Sequence, residues 1–223
     1  STPRQRTVTA TLEALPTAVT AANLRPPSLI IIGECVTMRD KLAWFENKPL
    51  FGRRIGITRP SGQATSAVET ALELGAEPVL MPTIQILPPR DWNEVDAALG
   101  RLVDFDWVIF TSANGVEHFF DYFFKAFRDV RDLGSVRFAA VGPATAKKLR
   151  EFHINIDLMP ETYTAAATAK AMLAAQNVEN ISVLLARAEL ANPELPRLLE
   201  DKGAIVDDIA FYRTEPETAD RNG

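Results

Sequence analysis

The sequence predicts an α/β protein built on doubly wound parallel sheets, and three observations lead there. From residue 54 to residue 211 short apolar runs of strand length alternate with amphipathic stretches of helical period. The spacing matches strand, crossover helix and next strand, an order that closes with right-handed connections. Small polar residues and glycines follow the apolar runs, where such a sheet turns into its helices.

The elements are expected as follows. Residues 1–46 differ in pattern from the rest. Thr7 to Leu12 alternates as a strand, Pro16 to Asn23 reads as a helix, and Ser28 to Val36 as a second strand, before a short amphipathic turn ending in Leu42-Ala43-Trp44-Phe45. Glu46-Asn47-Lys48-Pro49 is a polar break. A strand at Ile55 to Thr58, a helix from Gln63 to Leu74 stopped by Gly75, and a strand at Pro78 to Met81 form one strand-helix-strand unit. Leu87-Pro88-Pro89-Arg90 ends it and marks a crossing between domains, and an acidic helix runs from Trp92 to Leu102. Strands at Trp107 to Phe110, Arg137 to Val141, Ile156 to Leu158, Ile181 to Leu185 and Ile205 to Phe211 then alternate with helices near Val116 to Phe127, Ala144 to Phe152, Ala165 to Ala175 and Leu195 to Lys202.

Composition narrows the function. The 223 residues are 47% hydrophobic and 24% charged, ordinary for a folded, water-soluble protein. The longest apolar burst, Ser28 to Gly33, is far short of the roughly 20 residues that a membrane helix needs, so no membrane role is expected. Residues 1–48 hold six Lys/Arg against four Asp/Glu and the remainder 18 against 25, so neither part has the basic field of a nucleic-acid binder. A single cysteine, Cys35, excludes an internal disulfide and fits a reducing cytoplasm. Two histidines, His118 and His153, are too few with it for a zinc site, and read as surface or helix-packing side chains. The start, Ser-Thr-Pro-Arg-Gln-Arg, carries neither an initiator Met nor a signal-peptide pattern and is expected to be the interior of a longer chain.

Ligands of open parallel sheets bind beyond the carboxyl ends of the strands, where helix N-termini present free N–H groups. Candidate ligand-facing residues follow: Arg59 after the strand at Ile55, Thr111, Ser112 and Asn114 in the turn after Phe110, Thr145 in Gly142-Pro143-Ala144-Thr145, and Arg187 after Leu185. Serine, threonine and asparagine also cap helices with nothing bound, and arginines at strand ends also pair with surface carboxylates. Tyr212 ends the last strand, either closing the core edge or turning its hydroxyl to a cleft. The crowded Phe119-Phe120 and Tyr122-Phe123-Phe124 face reads as packing. No Walker loop or Gly-x-Gly-x-x-Gly fingerprint supports a nucleotide site, so carboxylates are the more natural guests.

Pro49-Leu50-Phe51-Gly52-Arg53-Arg54-Ile55-Gly56-Ile57-Thr58-Arg59, Ile109-Phe110-Thr111-Ser112-Ala113-Asn114-Gly115-Val116, Ala140-Val141-Gly142-Pro143-Ala144-Thr145-Ala146 and Phe211-Tyr212-Arg213-Thr214 together resemble the uroporphyrinogen-III synthases, in that family's order. Gln5-Arg6-Thr7-Val8, Thr11-Leu12, Pro27 to Glu34 and Leu42-Ala43-Trp44-Phe45 resemble the C-terminal end of uroporphyrinogen-III C-methyltransferase, with Ala10 where that family has glycine. The pair resembles the junction of a natural fusion. The resemblance implies two α/β lobes joined by two crossings around a cleft, with residues 1–46 a methyltransferase remnant, 47–52 a linker, 53–88 the first half of lobe 1, 89–212 lobe 2 and 213–223 the start of the return crossing. On that resemblance lobe 1 is expected to be incomplete and the fragment to be inactive alone.

The implied activity is cofactor-free and metal-free cyclisation of hydroxymethylbilane with inversion of its last ring and loss of water. Thr111, Ser112, Asn114 and Thr145, with Arg59 and Arg187, would orient the substrate's carboxylates, and Tyr212 would serve the departing hydroxyl, a phenol being a hydrogen-bond donor at neutral pH. Two other readings stay open: a non-catalytic anion sensor or interaction module on the same fold, and a generic nucleotide-binding domain.

Overall fold

Strands that are apolar on both faces set the architecture of the larger part of the molecule. A computed structural model describes residues 2–218, and by internal contacts the chain forms two units, Ser1–Gln85 with Glu217–Gly223, and Ile86–Pro216. Part of the 213–223 segment thus lies outside the described residues.

In the first unit, α1 (Leu15–Ala21) is followed by a 3-10 turn at Glu34–Met38, α2 (Arg39–Leu42), β1 (Arg54–Ile57), α3 (Thr65–Glu73) and β2 (Glu77–Leu80). β1 and β2 pair in parallel, Arg54 opposite Glu77 and Ile57 opposite Leu80. Gly75 ends the α3 region at φ +89°, a left-handed conformation, and a Cβ there would lie 2.7 Å from Cβ of Lys48. Glycine alone suits both demands.

The expected strands at Thr7 to Leu12 and Ser28 to Val36 are not strands. The first is irregular, its Thr7 hydroxyl donating to Glu46 at 3.1 Å instead of its backbone joining a ladder. In the second, Leu29 to Ile32 join no strand and are 62–85% exposed, and the remainder winds into the 3-10 turn. Apolar alternation supplies a strand's faces, but pairing needs a neighbouring edge, and no such edge meets these segments among the described residues.

The second unit is a three-layer sandwich. Its strands are β3 (Ile84–Leu87), in which the division between units falls, β4 (Trp107–Phe110), β5 (Arg137–Ala140), β6 (Ser182–Ala188) and β7 (Ile205–Pro216). They lie in the order β3-β7-β6-β4-β5, and β7, β6, β4 and β5 are mutually parallel. The helices are α4 (Trp92–Gly100), α5 (Ala113–Ala126), α6 (Pro143–Glu151), α7 (Ala165–Ala175) and α8 (Glu194–Glu200). α4, α5 and α6 cover one face over a core that includes Val108, Phe110, Phe119, Phe123, Leu149, Leu184 and Phe211. α7 and α8 cover the other, over Trp107, Ile109, Met172, Leu185, Leu195 and Leu199. Alternate residues of β4 therefore feed opposite cores, and all four are buried, as a strand between two helical layers requires. The Phe119, Phe120, Tyr122 and Phe123 face of α5 is core, as read from its period.

Three differences from expectation remain. β3 was not foreseen, because Pro88-Pro89 directly after it reads as loop. β7 extends five residues past Phe211, through mostly polar sequence that edge pairing accommodates. Together they place the division at 85/86 and 216/217, where the sequence suggested 88/89 and 212/213. Ile156 to Leu158 forms only a single bridge, Leu158 to Ala139, beside the edge strand β5.

Candidate functional site

The parallel strands of the second unit bring their carboxyl ends to one edge. Register places Phe110 beside Ala140 on one side and Ala186 on the other, and Ala188 beside Tyr212. Tyr212 of β7, Arg187 of β6, Thr111 with Ser112 after β4, and Val141 with Gly142 after β5 thus follow one another along this edge.

Ser112 and Tyr212, 100 residues apart in sequence, meet here with their hydroxyl oxygens 3.0 Å apart, and either can donate. Ser112 is also the N-cap of α5, its oxygen accepting from the Gly115 N–H at 3.0 Å. Such a cap removes one orphan amide of the helix while leaving the hydroxyl hydrogen free for another acceptor. Tyr212 is 6% exposed, and its ring lies against His118 at 5.4 Å between centroids and 18° between planes. Asn114 and Thr111 are half-buried beside Ser112, in the first turn of α5 and before it.

Gly115 is in this turn for packing. A Cβ there would stand 2.7 Å from the carbonyl oxygen of Ala186, so the first turn of α5 rests directly on the backbone of β6. Thr145 is 4% exposed in the first turn of α6, whose N-cap, Gly142, contributes no side-chain bond. The caps of α4 and α7 are filled by Asp91 and Thr164, accepting from Asn93 N–H at 2.8 Å and Ala167 N–H at 3.1 Å.

Arg187 is the prediction that the geometry turns in another direction. It is 4% exposed, and its Nε donates to Asp208 at 2.5 Å, with Nη2 on the same carboxylate and Nη1 on the Asn192 carbonyl at 2.5 Å. A guanidinium so engaged ties β6, β7 and the approach to α8 together, and has little left to offer a ligand. Asp208→Asn weakens this pair and leaves a buried cation under-compensated, so a loss of about 2 kcal/mol in unfolding free energy is expected by denaturant titration. Arg59 is exposed at the end of β1, in the first unit.

The residue that sequence reading passed over is His118. It sits one helical turn before Tyr122 on α5, and the Tyr122 hydroxyl is 3.3 Å from its Nδ1. Burial lowers the basicity of the imidazole below the usual 6.5, against the pull of Asp121 and Glu117, while Lys125 adds to the lowering. Burial also pushes the Tyr122 phenol up to about 12, with Asp121 adding to it. The i, i+4 pair just past the Ser112 turn was the available signal.

The Tyr122 shift has a stability consequence with a definite sign. Its pKa is higher folded than unfolded, so the unfolded chain loses its proton first, and stability is fully present below pH 10 and lost as pH rises toward 12. The loss over that window is on the order of 2 kcal/mol, and Tyr122→Phe should flatten it in unfolding curves taken between pH 9 and pH 11.

Two open hollows lie in the first unit, lined by residues including Arg4, Phe51 and Glu77, and Leu15, Val19 and Ile30, and neither includes a predicted site residue. Among the described residues no group of three or more His, Cys, Asp or Glu is placed to hold a metal ion, and no helix is long and apolar enough to cross a membrane.

A protein of Ruminiclostridium josui, "Porphyrin biosynthesis protein HemD", is 32% identical over 212 residues, 95% of this chain and 42% of that protein, so the chain spans less than half the length of that relative. The siroheme synthase of Ectopseudomonas mendocina is 54% identical over 46 residues, 21% of this chain and 10% of that protein. Among solved structures, a variant uroporphyrinogen III synthase of Thermus thermophilus shares the fold, with a TM-score of 0.55 and 19% identity over 74% of this chain and 64% of that one. The family described as uroporphyrinogen-III synthase HemD matches residues 66–222, most of the chain and all of the sheet edge that joins Ser112 to Tyr212, and it is to this family that the chain belongs.

Proposed function

We propose that the chain is part of a cytoplasmic uroporphyrinogen-III synthase, which cyclises hydroxymethylbilane to uroporphyrinogen III with inversion of the last ring and loss of water. The observation that carries this is the hydroxyl pair of Ser112 and Tyr212 at the common edge of four parallel strands. Residues 1–46 are read as the end of a tetrapyrrole methyltransferase fused ahead of the synthase, supported by the likeness to siroheme synthase and by the exposed, unpaired run Leu29 to Ile32.

The substrate carries eight carboxylates and the chain is net −5, so bulk attraction opposes binding. Local donors must supply it. Thr111, Ser112, Asn114 and Thr145 cluster at the first turns of α5 and α6, where each anion gains about 0.3 to 1 kcal/mol, and up to ~2 when partly buried. Arg59, exposed in the first unit, is a separate candidate contact for a substrate carboxylate. Arg187 acts within the lobe, holding the β6–β7 end on which Tyr212 sits.

In the reaction the C–O bond of the hydroxymethyl group breaks as its oxygen takes up a proton and leaves as water. Tyr212 donates a hydrogen bond to that oxygen, and the Ser112 hydroxyl, donating to the phenolic oxygen, steadies the negative charge that develops there. For the last ring to end inverted, the azafulvene carbon bonds to that ring's α-carbon that already carries the methylene bridge, the older bridge bond breaks and re-forms at the ring's free α-carbon, and the proton displaced there offsets the one taken up by the departing hydroxyl. Positioning supplies the rest of the acceleration.

The test is isomer analysis. The full-length protein, incubated with hydroxymethylbilane and the products oxidised and separated, should give the type III isomer; type I alone, the product of spontaneous closure, would overturn the proposal. The second reading, a non-catalytic module, draws on the near-complete burial of Tyr212, and type I alone with retained bilane binding is its signature.

A further inference from the structure

We infer that His118 is a positioning residue: its imidazole, laid on the Tyr212 ring and anchored by Tyr122, keeps the Tyr212 hydroxyl on Ser112 and aimed at the substrate. This rests on the reading of Tyr212 as the donor to the departing hydroxyl.

The geometry is a ladder across three elements, α4, α5 and β7. On α4, Trp92 meets the Tyr122 ring edge-on at 4.6 Å. Tyr122 reaches Nδ1 of His118 at 3.3 Å, His118 lies nearly parallel to Tyr212 on β7 at 5.4 Å, and Tyr212 reaches Ser112 at 3.0 Å. Phe211, the residue before Tyr212, packs on Phe119 at 5.4 Å and so fixes the strand on which the tyrosine sits. The backbone fixes only the root of the Tyr212 side chain. Its hydroxyl lies at the far end of a ring that one hydrogen bond alone would hold loosely, and a flat neighbour over the ring face removes that freedom.

The ladder runs in one direction when the imidazole is neutral. Tyr122, whose proton is held to about pH 12, then donates to Nδ1. Protonation of His118 puts a hydrogen on Nδ1, reverses that bond and places a cation against the Tyr212 ring. The charges that act on His118 are Glu117, Asp121 and Lys125 of its own helix; from the packed elements, Lys148 of α6 pairs with Glu117, and Trp92 and Tyr212 bring no charge. Burial dominates among these influences, so the neutral ring prevails at neutral pH.

The experiment measures type III formation by the full-length protein with hydroxymethylbilane. His118→Ala should lower kcat about tenfold at pH 8 with KM within about twofold, because binding donors are untouched while the hydroxyl loses its aim. His118→Phe keeps a flat ring and should recover most of that loss, and it should abolish the acid-side fall in kcat expected of the unaltered protein, which lies on the acid side of 6.5 because burial lowers the imidazole. In a Tyr212→Phe background, His118→Ala should cost nothing further. A large effect of Tyr212→Phe with none of His118→Ala overturns the inference and leaves the reading of Tyr212 standing. No effect of Tyr212→Phe overturns both. Should His118→Ala fail to fold, the acid limb decides: its persistence in His118→Phe overturns the inference.

Discussion

Gly115→Ala is expected to destabilise the second unit by about 2 to 3 kcal/mol, lowering its melting temperature by about 10 °C in a calorimetric scan. The added Cβ would stand 2.7 Å from the Ala186 carbonyl oxygen and 3.3 Å from the Ser112 hydroxyl. Both obstacles are held: Ala186 lies in the middle of β6, paired to β4 and β7, and Ser112 is committed to its cap. α5 would have to lift away from the sheet, opening the Phe110–Phe119 contact of 5.2 Å beneath it. Alanine's better helix propensity, worth about 1 kcal/mol, offsets only part of this. Gly100→Ala is the control. Gly100 ends α4 with nothing within 4 Å of a Cβ and no positive φ, so its replacement should be neutral or slightly stabilising. Equal melting temperatures for the two variants would show that α5 is not seated on β6 as described.

This glycine illustrates what was legible in the sequence and what was not. Its place after a buried strand marked a strand-to-helix turn, and the turn is there. Its reason is not legible: a glycine there would equally suit a ligand approaching the backbone, whereas the close neighbour is another strand's carbonyl. Pattern locates a glycine; only tertiary structure says what approaches it. The same division runs through the fold. The β4 run and the apolar face of α5 were legible because burial on two faces, or on one stripe, writes itself into the period of the residues. Ser28 to Val36 carries an equally strong apolar signal and is not paired, since strand pairing is a property of the partner as much as of the segment. β3 went unseen because four residues followed by two prolines fall below what periodicity resolves.

The site was legible in its polar turns and obscure in its couplings. Thr111, Ser112 and Tyr212 were singled out from separate motifs, yet nothing local says that Ser112 and Tyr212 touch. Strand order brings them together, with β6 between β4 and β7. Arg187 shows the opposite failure. A strand-end arginine and an aspartate 21 residues on carry no local sign of pairing, and it is their placement on adjacent parallel strands that turns the guanidinium to Asp208. His118 reads in the sequence as a surface or helix-packing side chain. It does pack, and what it packs on is Tyr212.

Replacing Tyr212 with phenylalanine should have the largest effect on catalysis. The ring remains, so its stack on His118 and its burial persist, and only the hydroxyl and its 3.0 Å contact with Ser112 are lost. Stability should therefore fall by only about 1 kcal/mol, the usual net value of one hydrogen bond. If the hydroxyl donates to the departing oxygen, type III formation by the full-length protein should fall by about a hundredfold in kcat with little change in KM, the signature of an interaction made only in the transition state. Ser112→Ala separates direct from indirect action. It removes the α5 cap as well, costing about 1 kcal/mol of stability, but leaves the Tyr212 donor in place, so its effect on kcat should be smaller, about tenfold. A Tyr212→Phe protein that forms the type III isomer at the unaltered rate would remove the phenol from the reaction, and with it the role of the sheet edge as more than a binding surface.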